Sequence, residues 1–416
     1  MISDAIRFPD AKRWLLALGS AGLALLALEA GLRAFVRPSP RSAGRLFGNE
    51  LPPIRLIPPE PPRQGGRVSP TGRIAWDDLT GIVRPDSLIG YAPRERAIST
   101  NGWWQTNNVG ARSRRDTSRT VTPGTTRVLV FGDSFAAGSR VAQEAAWPAL
   151  VGAGHPELDV VSFGVDGYSA AQSLLRYRTL RHRLDHDVVV LTLSPGADFW
   201  RDVNTLRALA GWRAYTLMPR FVLTDGHLHL VRGPYDPPGD IYADNRSGPS
   251  PRLLEHLRRY DGFYVPWMYE QPRTVLAGSV LFKFLQARGH AFLMRRRHWQ
   301  VLDERSEAAA VTVRIAARMR HDAAAVGARF VLVLLPSERD LALLRRSAWF
   351  RARWQRISNS FAQAGLVPVD VEPDLLAVPR DQLDRGFDGT HHGPRTNRLI
   401  AEAVGRALDA PPAQRP

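Results

Sequence analysis

Four short runs constrain what this chain can fold into. Val128–Phe131, Asp159–Phe163, Asp187–Leu193 and Arg329–Leu335 are dominated by apolar residues with little alternation. A strand with one wet face alternates apolar and polar residues, whereas a continuous apolar run must be covered on both faces. Between and after these runs lie stretches with helical spacing of apolar residues: from about Gln143, Ala170–Arg183, Ala308–Val326, Ala348–Ala364 and Arg395–Leu408. A fifth, weaker strand is expected at Val367–Val371. Strands separated by helices need crossover connections, so the expectation is an α/β three-layer sandwich, a parallel sheet with helices on both faces.

The first strand ends at Gly132-Asp133-Ser134. Gly132 permits a tight turn, and Asp133 and Ser134 are good caps for a following helix. Ser134 therefore stands at the carboxyl end of a strand, where open α/β sheets bind ligands and free N–H groups can receive negative charge. A plain capping serine fits this stretch equally well. A second stretch, Asp388-Gly-Thr-His391-His392-Gly-Pro394, precedes the last helix. Serine is a weak nucleophile until a base takes its proton, and that base needs an orienting carboxylate. An Asp three residues before a His supplies both from one loop. Among eleven histidines, one near an Asp is unremarkable by itself, but the two stretches together are far more specific. His392 is a second base candidate that breaks the Asp-x-x-His spacing.

Phe131-Gly-Asp-Ser134-Phe resembles the first block of the SGNH (GDSL-like) hydrolases, and Asp388-Gly-Thr-His391 their last. Ser162-Phe-Gly-Val-Asp-Gly167-Tyr-Ser resembles the second block, and Val188 to Gly196-Ala197-Asp198 the third. The resemblance covers about Arg127 to Leu408 and implies an SGNH/flavodoxin-like fold with Ser134, His391 and Asp388 as a catalytic triad. It also implies an oxyanion hole from the N–H groups of Ser134 and Gly167. The family's third donor is an Asn before the Asp; here Ala197 stands in its place, and Ala has nothing to donate. That predicts a slow enzyme, a hole completed by another donor (Ser194 is near in sequence), or a protein that kept the fold and lost the chemistry.

Composition narrows the partners. The formal charge is +16, carried almost wholly by scattered Arg, with Lys only at positions 12 and 283. No nucleic-acid motif accompanies it. With no cysteine, disulfides and thiolate metal sites are excluded. No cofactor and no metal are expected.

The amino terminus supplies a membrane candidate. After a short tail (1–13), residues 14–36 are apolar apart from Glu29 and Arg33 and approach the ~20 residues that span a bilayer. Glu29 and Arg33 are spaced to pair on one helix. A cleaved signal peptide is the rival, but no clean small-x-small site follows and Glu29 stands where one would fall. Residues 37–83, rich in Pro and Arg, are expected as a semi-extended spacer, and 84–126 as an ordered edge segment containing Asn107-Asn-Val-Gly-Ala-Arg112. The sandwich should occupy 127–198 and 306–410, followed by a tail at 411–416. Between them, 199–305 breaks the strand–helix rhythm and carries Tyr260, Phe263, Tyr264, Trp267 and Tyr269: a lid or sugar-stacking wall, or local packing. Leu281–Trp299 mixes apolar and basic residues and could meet an anionic membrane surface or a partner protein.

Two functions remain open. One is an envelope-side serine esterase or O-acyltransferase, anchored in a bacterial-type inner membrane with its main domain on the periplasmic side, acting on acyl esters of polysaccharide or lipid. The other is a structural or assembly subunit of a membrane-protein complex built on the same fold. The triad favours the first and Ala197 tolerates the second.

Overall fold

The computed structural model describes residues 11–58, 82–99, 102–211, 216–270 and 274–409. Helix α1 (Ala11–Ala34) keeps most of its apolar side chains exposed and meets the rest of the chain at its carboxyl end, where Glu29 and Arg33 bond to residues 278–281. Its segment Arg13–Ala34 is long and apolar enough to cross a bilayer, and by the same measure to be a signal sequence. Two small hairpins follow, β1 (Arg45–Leu46) with β2 (Asn49–Glu50), then β3 (Val83–Asp86) with β4 (Gly90–Pro93). The region expected as a spacer differs from that expectation over 37–58. Leu46, Leu51, Leu56 and Ile57 are buried, and the Ile54 N–H donates to the Met268 carbonyl at 2.7 Å. Proline removes backbone donors but not the apolar surface of its neighbours, so such a stretch still docks through side chains. Residues 59–81 of that segment, and the tail 411–416, lie outside the described residues.

The chain then builds the sandwich: β5 (Thr126–Phe131), α2 (Trp147–Gly154), β6 (Leu158–Ser162), α3 (Ala170–Leu180), β7 (Val188–Leu193) and α4 (Pro195–Asp202). The insertion contributes an antiparallel hairpin, β8 (Arg220–Thr224) with β9 (His227–Val231), and helices α5 (Asp240–Asp244), α6 (Pro251–Tyr260), α7 (Pro266–Tyr269) and α8 (Val280–Gln300). The sandwich resumes with α9 (Glu307–Ala324), β10 (Arg329–Leu334), α10 (Glu338–Arg346), α11 (Ala348–Gln363), β11 (Val369–Asp370), α12 (Glu372–Ala377) and α13 (Pro394–Asp409). The five-stranded sheet runs β11-β10-β7-β5-β6, and every pair is parallel.

Alternate residues of one strand feed opposite cores. Leu129 and Phe131 pack with Leu174, Ile315 and Phe361 on one face, while Val128 and Val130 pack with Trp147, Ile400 and Val404 on the other. That is why the strands carry no polar alternation. The helix expected from Gln143 starts at Trp147 after one 3₁₀ turn, with Pro148 in its first turn. Helix α10, absent from the sequence reading, is opened by a reciprocal cap between Ser337 and Asp340.

From β5 the chain moves first to β6 on one side and then to β7 on the other. The order therefore reverses beside β5, which opens a crevice at the carboxyl ends of β5 and β7. Ser134 follows β5 and Ala197 follows β7, so both belong to that rim.

Candidate active site

The turn after β5 is held by atoms that a sequence shows only in part. Gly132 has φ +144°, and a Cβ there would stand 2.4 Å from the Thr192 carbonyl oxygen, so only glycine lets β5 pass β7 this closely. The Asp133 carboxylate accepts from the Phe135 N–H at 2.8 Å. It also accepts from Arg201 Nη1 at 2.8 Å, and the same guanidinium nitrogen reaches Asp198 at 2.7 Å. All three side chains are buried. Burial and the charge of Asp133 push the Asp198 carboxyl up, and Arg201 offsets part of that push. Removing one member of such a group strands a buried charge, at a cost of about 3–5 kcal/mol.

Further along, Arg112 reaches beneath the turn. Its Nη1 donates to the carbonyls of Ala137 and Gly138, both at 2.7 Å, and its Nη2 to those of Val141 (2.9 Å) and Trp103 (3.1 Å). The guanidinium lies 4.6 Å from the centre of the Trp104 ring, and burial draws its pKa down to about 10, so it stays charged at neutral pH. The Asn107–Arg112 stretch read in the sequence thus buckles the Ser134 turn from below. Asn107 shapes it by accepting from the Val109 and Ala111 N–H groups, 3.1 Å each.

The loop before α13 meets this turn from the other side. His391 Nε2 lies 2.8 Å from Ser134 Oγ, and His391 Nδ1 lies 2.6 Å from Asp388 Oδ2. The Phe135 ring stacks on the imidazole at 4.8 Å, which fixes its plane. Thr390 donates from its hydroxyl to Asp388 at 2.7 Å and from its N–H at 2.9 Å. Burial works against charge on Asp388, but the hydrogen bond to His391, the imidazole charge and the Thr390 donors outweigh it and hold the carboxyl well below the usual range. Residues more than 250 positions apart therefore form one hydrogen-bonded chain, hydroxyl to imidazole to carboxylate. In that chain Nδ1 faces the carboxylate, which leaves Nε2 able to accept a proton from Ser134.

Arg140 was not singled out by the sequence. Its Nη1 pairs with Asp166 at 2.7 Å and its Nε lies 3.5 Å from Asp388. The Ser139 hydroxyl also donates to Asp166. Asp166 precedes Gly167, so these contacts tie the loop after β6 to the Ser134 turn. Gly167 itself has φ +79° and is buried. It is not among the residues that line the cleft over Ser134, whereas Ala197 is.

Ser194 is no substitute for the expected Asn. It is fully buried, and its hydroxyl donates to the Leu335 carbonyl at 2.7 Å. His392 is likewise occupied: Nε2 lies 2.9 Å from the Pro336 carbonyl and Nδ1 3.3 Å from Glu338, with the ring buried against Phe135.

Above Ser134 opens a cleft of about 690 Å³. One side is Trp200, His298 and Trp299; another is Glu338, Arg339 and Arg385. Its size falls in the range of small-molecule sites, about 300–1,000 Å³. Of the aromatic residues read either as a lid or wall or as local packing, Phe263, Tyr264 and Tyr269 are buried, packed with the core that also holds Leu129 and Phe131, and none of the five lines the cleft. Among the described residues, the one cluster spaced to hold a cation is His155, Glu157 and Asp409, at the opposite rim of the sheet and clear of the cleft.

No protein-family model and no curated protein matches this sequence. Among solved structures, the chain is similar to a lipase/acylhydrolase from Enterococcus faecalis, at 12% identity over 70% of this chain and 100% of that one, TM-score 0.34. It is similar to a member of the lipolytic G-D-S-L family from Veillonella parvula, at 10% identity over 68% and 98%, TM-score 0.32. A third is an acetyl-xylooligosaccharide esterase from a Geobacillus, at 10% identity over 71% and 100%, TM-score 0.33. The solved structures it resembles are consistently SGNH/GDSL-like hydrolases and esterases. Likenesses of this order carry no argument about activity; the residues above carry it.

Proposed function

We propose that this chain is a serine esterase or O-acyltransferase, held by α1 in a bacterial-type inner membrane with the sandwich on the periplasmic side. The substrate class is an acyl ester of an envelope polysaccharide or lipid. The observation that carries the chemistry is the continuous chain Ser134 Oγ–His391 Nε2–Asp388 at 2.8 and 2.6 Å, set at the floor of an open cleft.

In the first half-reaction Ser134 Oγ attacks the ester carbonyl carbon while His391 Nε2 takes the hydroxyl proton. Asp388 holds the imidazole tautomer and stabilises the imidazolium. The tetrahedral oxyanion collapses, the leaving alkoxide takes the proton from His391, and the acyl group stays on Ser134. Water or a second hydroxyl then attacks that ester with His391 again as base, which returns free Ser134 and an acid or a new ester. The oxyanion needs N–H donors close to Ser134, and Ser134's own N–H is the first of them. Trp299, half-buried at the cleft wall, offers an apolar face suited to a sugar ring or an acyl chain.

A fluorophosphonate probe on the full chain tests this reading, since only an activated serine reacts quickly. The wild type is expected to be labelled and Ser134→Ala to be silent. Equal labelling of both would remove the mechanism. A second reading, a subunit that kept the fold without the chemistry, is favoured by Ala197 alone and predicts no labelling of either protein.

A further inference from the structure

We propose that Phe35, Phe47, Val275, Leu276 and Leu285 form a face seated in the headgroup layer of the bilayer that α1 spans; this rests on the anchor reading above. The argument starts at Glu29, five residues before the end of the apolar span at Ala34. At 1.5 Å per residue it stands about 7 Å inside that end. A carboxylate at such a depth requires partners, and the folded domain supplies them. Glu29 accepts from the Ser279 hydroxyl (2.9 Å) and from the N–H groups of Val280 (2.8 Å) and Leu281 (2.9 Å). Arg33 Nε closes the group at 2.9 Å, and Arg33 Nη2 donates to the Gly278 carbonyl at 2.9 Å. The start of α8 is therefore docked on the last turns of the span rather than hanging from a tether.

Whatever docks on Glu29 shares its depth, and the surface there is apolar. Val275 is fully exposed at 101%, Leu276 is half exposed, and Leu285, Phe35 and Phe47 are more than half exposed. The rings of Phe35, Phe47 and Phe284 run together, with 6.0 Å between successive centres. Arg37, Arg41 and Arg288 are exposed in the same stretches. Apolar side chains flanked by cations, continuous with a membrane span, match a lipid surface with anionic headgroups. From that end α8 runs 21 residues, about 30 Å, and delivers His298 and Trp299 to the cleft. Seating this face would thus also set the height of the cleft above the lipid.

The chain has no cysteine, so single labels are clean. Leu23→Cys, Val275→Cys, Leu276→Cys, Leu285→Cys and the exposed control His227→Cys, each carrying a bimane fluorophore on the full chain, are placed in phosphatidylethanolamine–phosphatidylglycerol vesicles with nitroxide lipids. Labels at 23, 275, 276 and 285 should be quenched at least threefold more than the label at 227. Glu29→Ala should reduce quenching at 276 and leave that at 23 unchanged. Quenching at 23 with 275, 276 and 285 behaving like 227 overturns the seating while the anchor stands. No quenching at 23 overturns both. An unquenched label at 285, together with a disulfide between two copies of the unlabelled Leu285→Cys chain under air oxidation, overturns it in favour of a self-interface.

Discussion

The turn from Gly132 to Ser139 and the insertion from 199 to 305 both reach the same cleft, but they are held in different ways. The turn is fixed by hydrogen bonds from buried charges: Asp133 to Arg201, Arg112 to three carbonyls of the turn region, and Ser139 and Arg140 to Asp166. Deep in the insertion the buried Asp261 carboxylate likewise gathers the N–H groups of Thr205, Leu206 and Phe263, but where the insertion faces the cleft it is held by ring packing, Trp200 against His298 and Trp299 against Trp349 and Phe350. Directional contacts hold atoms to a few tenths of an ångström, which proton transfer demands. Apolar packing holds a shape and tolerates repacking, which suits a binding wall. The comparison teaches that changes at the turn should appear in turnover, and changes at the insertion in affinity and stability.

The sharpest way to break this contrast is Asp388→Asn. It keeps the shape and loses the charge that orients His391, so kcat on an aryl ester should fall by about 10³- to 10⁴-fold while the thermal midpoint changes little. A fall confined to KM would place the triad on the wrong side of the comparison. Next in size is Ala197→Asn. Restoring an amide at the rim beside Ser134 should raise kcat about 10²-fold if the oxyanion lacks that donor. Unchanged turnover would mean another group already supplies it.

On the insertion side, Trp299→Ala should raise KM about tenfold and leave kcat within about twofold, since it removes a wall and no reacting group. A matched loss in kcat would erase the division between the two regions. The smallest effect expected is on stability. His256 is buried and His290 half-buried in the insertion, and desolvation, helped by Arg220 and Arg297 respectively, draws each pKa down to about 4. The unfolded chain takes up these protons near pH 6.5 and the folded chain only near pH 4, so stability falls as pH drops across that window. The thermal midpoint should fall by several degrees between pH 7 and pH 5, with a shallower fall in His256→Gln. An equal slope in the variant would show that other groups carry it.

The parallel sheet, its flanking helices and the three residues that meet at its rim were legible because each depends on local pattern. Apolar runs on both faces, helical spacing and the short motifs Gly-Asp-Ser and Asp-x-x-His are properties of neighbours in the chain. The packing of residues 37–58 and the placing of Trp299 in the cleft were not legible, and the choice between wall and packing for Phe263, Tyr264 and Tyr269 stayed open, since each depends on which distant surface is left to cover. Arg112 lay inside a stretch the sequence marked, but its contacts with the Ser134 turn are made more than twenty residues away. Asp166 likewise lay inside the second marked block without its partners being visible, and Arg140 and Arg201 gave no such signal: a charge among 56 basic and 40 acidic residues does not announce its partner.

By itself, then, the order of residues determined the architecture and the kinds of atom available at one edge of it. Tertiary structure decided that the hydroxyl, the imidazole and the carboxylate stand in line, that Ser194 and His392 are already engaged, and that Glu29 grips the start of α8. The reason is range. Turns and helices are set by contacts a few residues apart, whereas hydrogen bonds between distant segments exist only after the sheet has closed and buried charges must find partners.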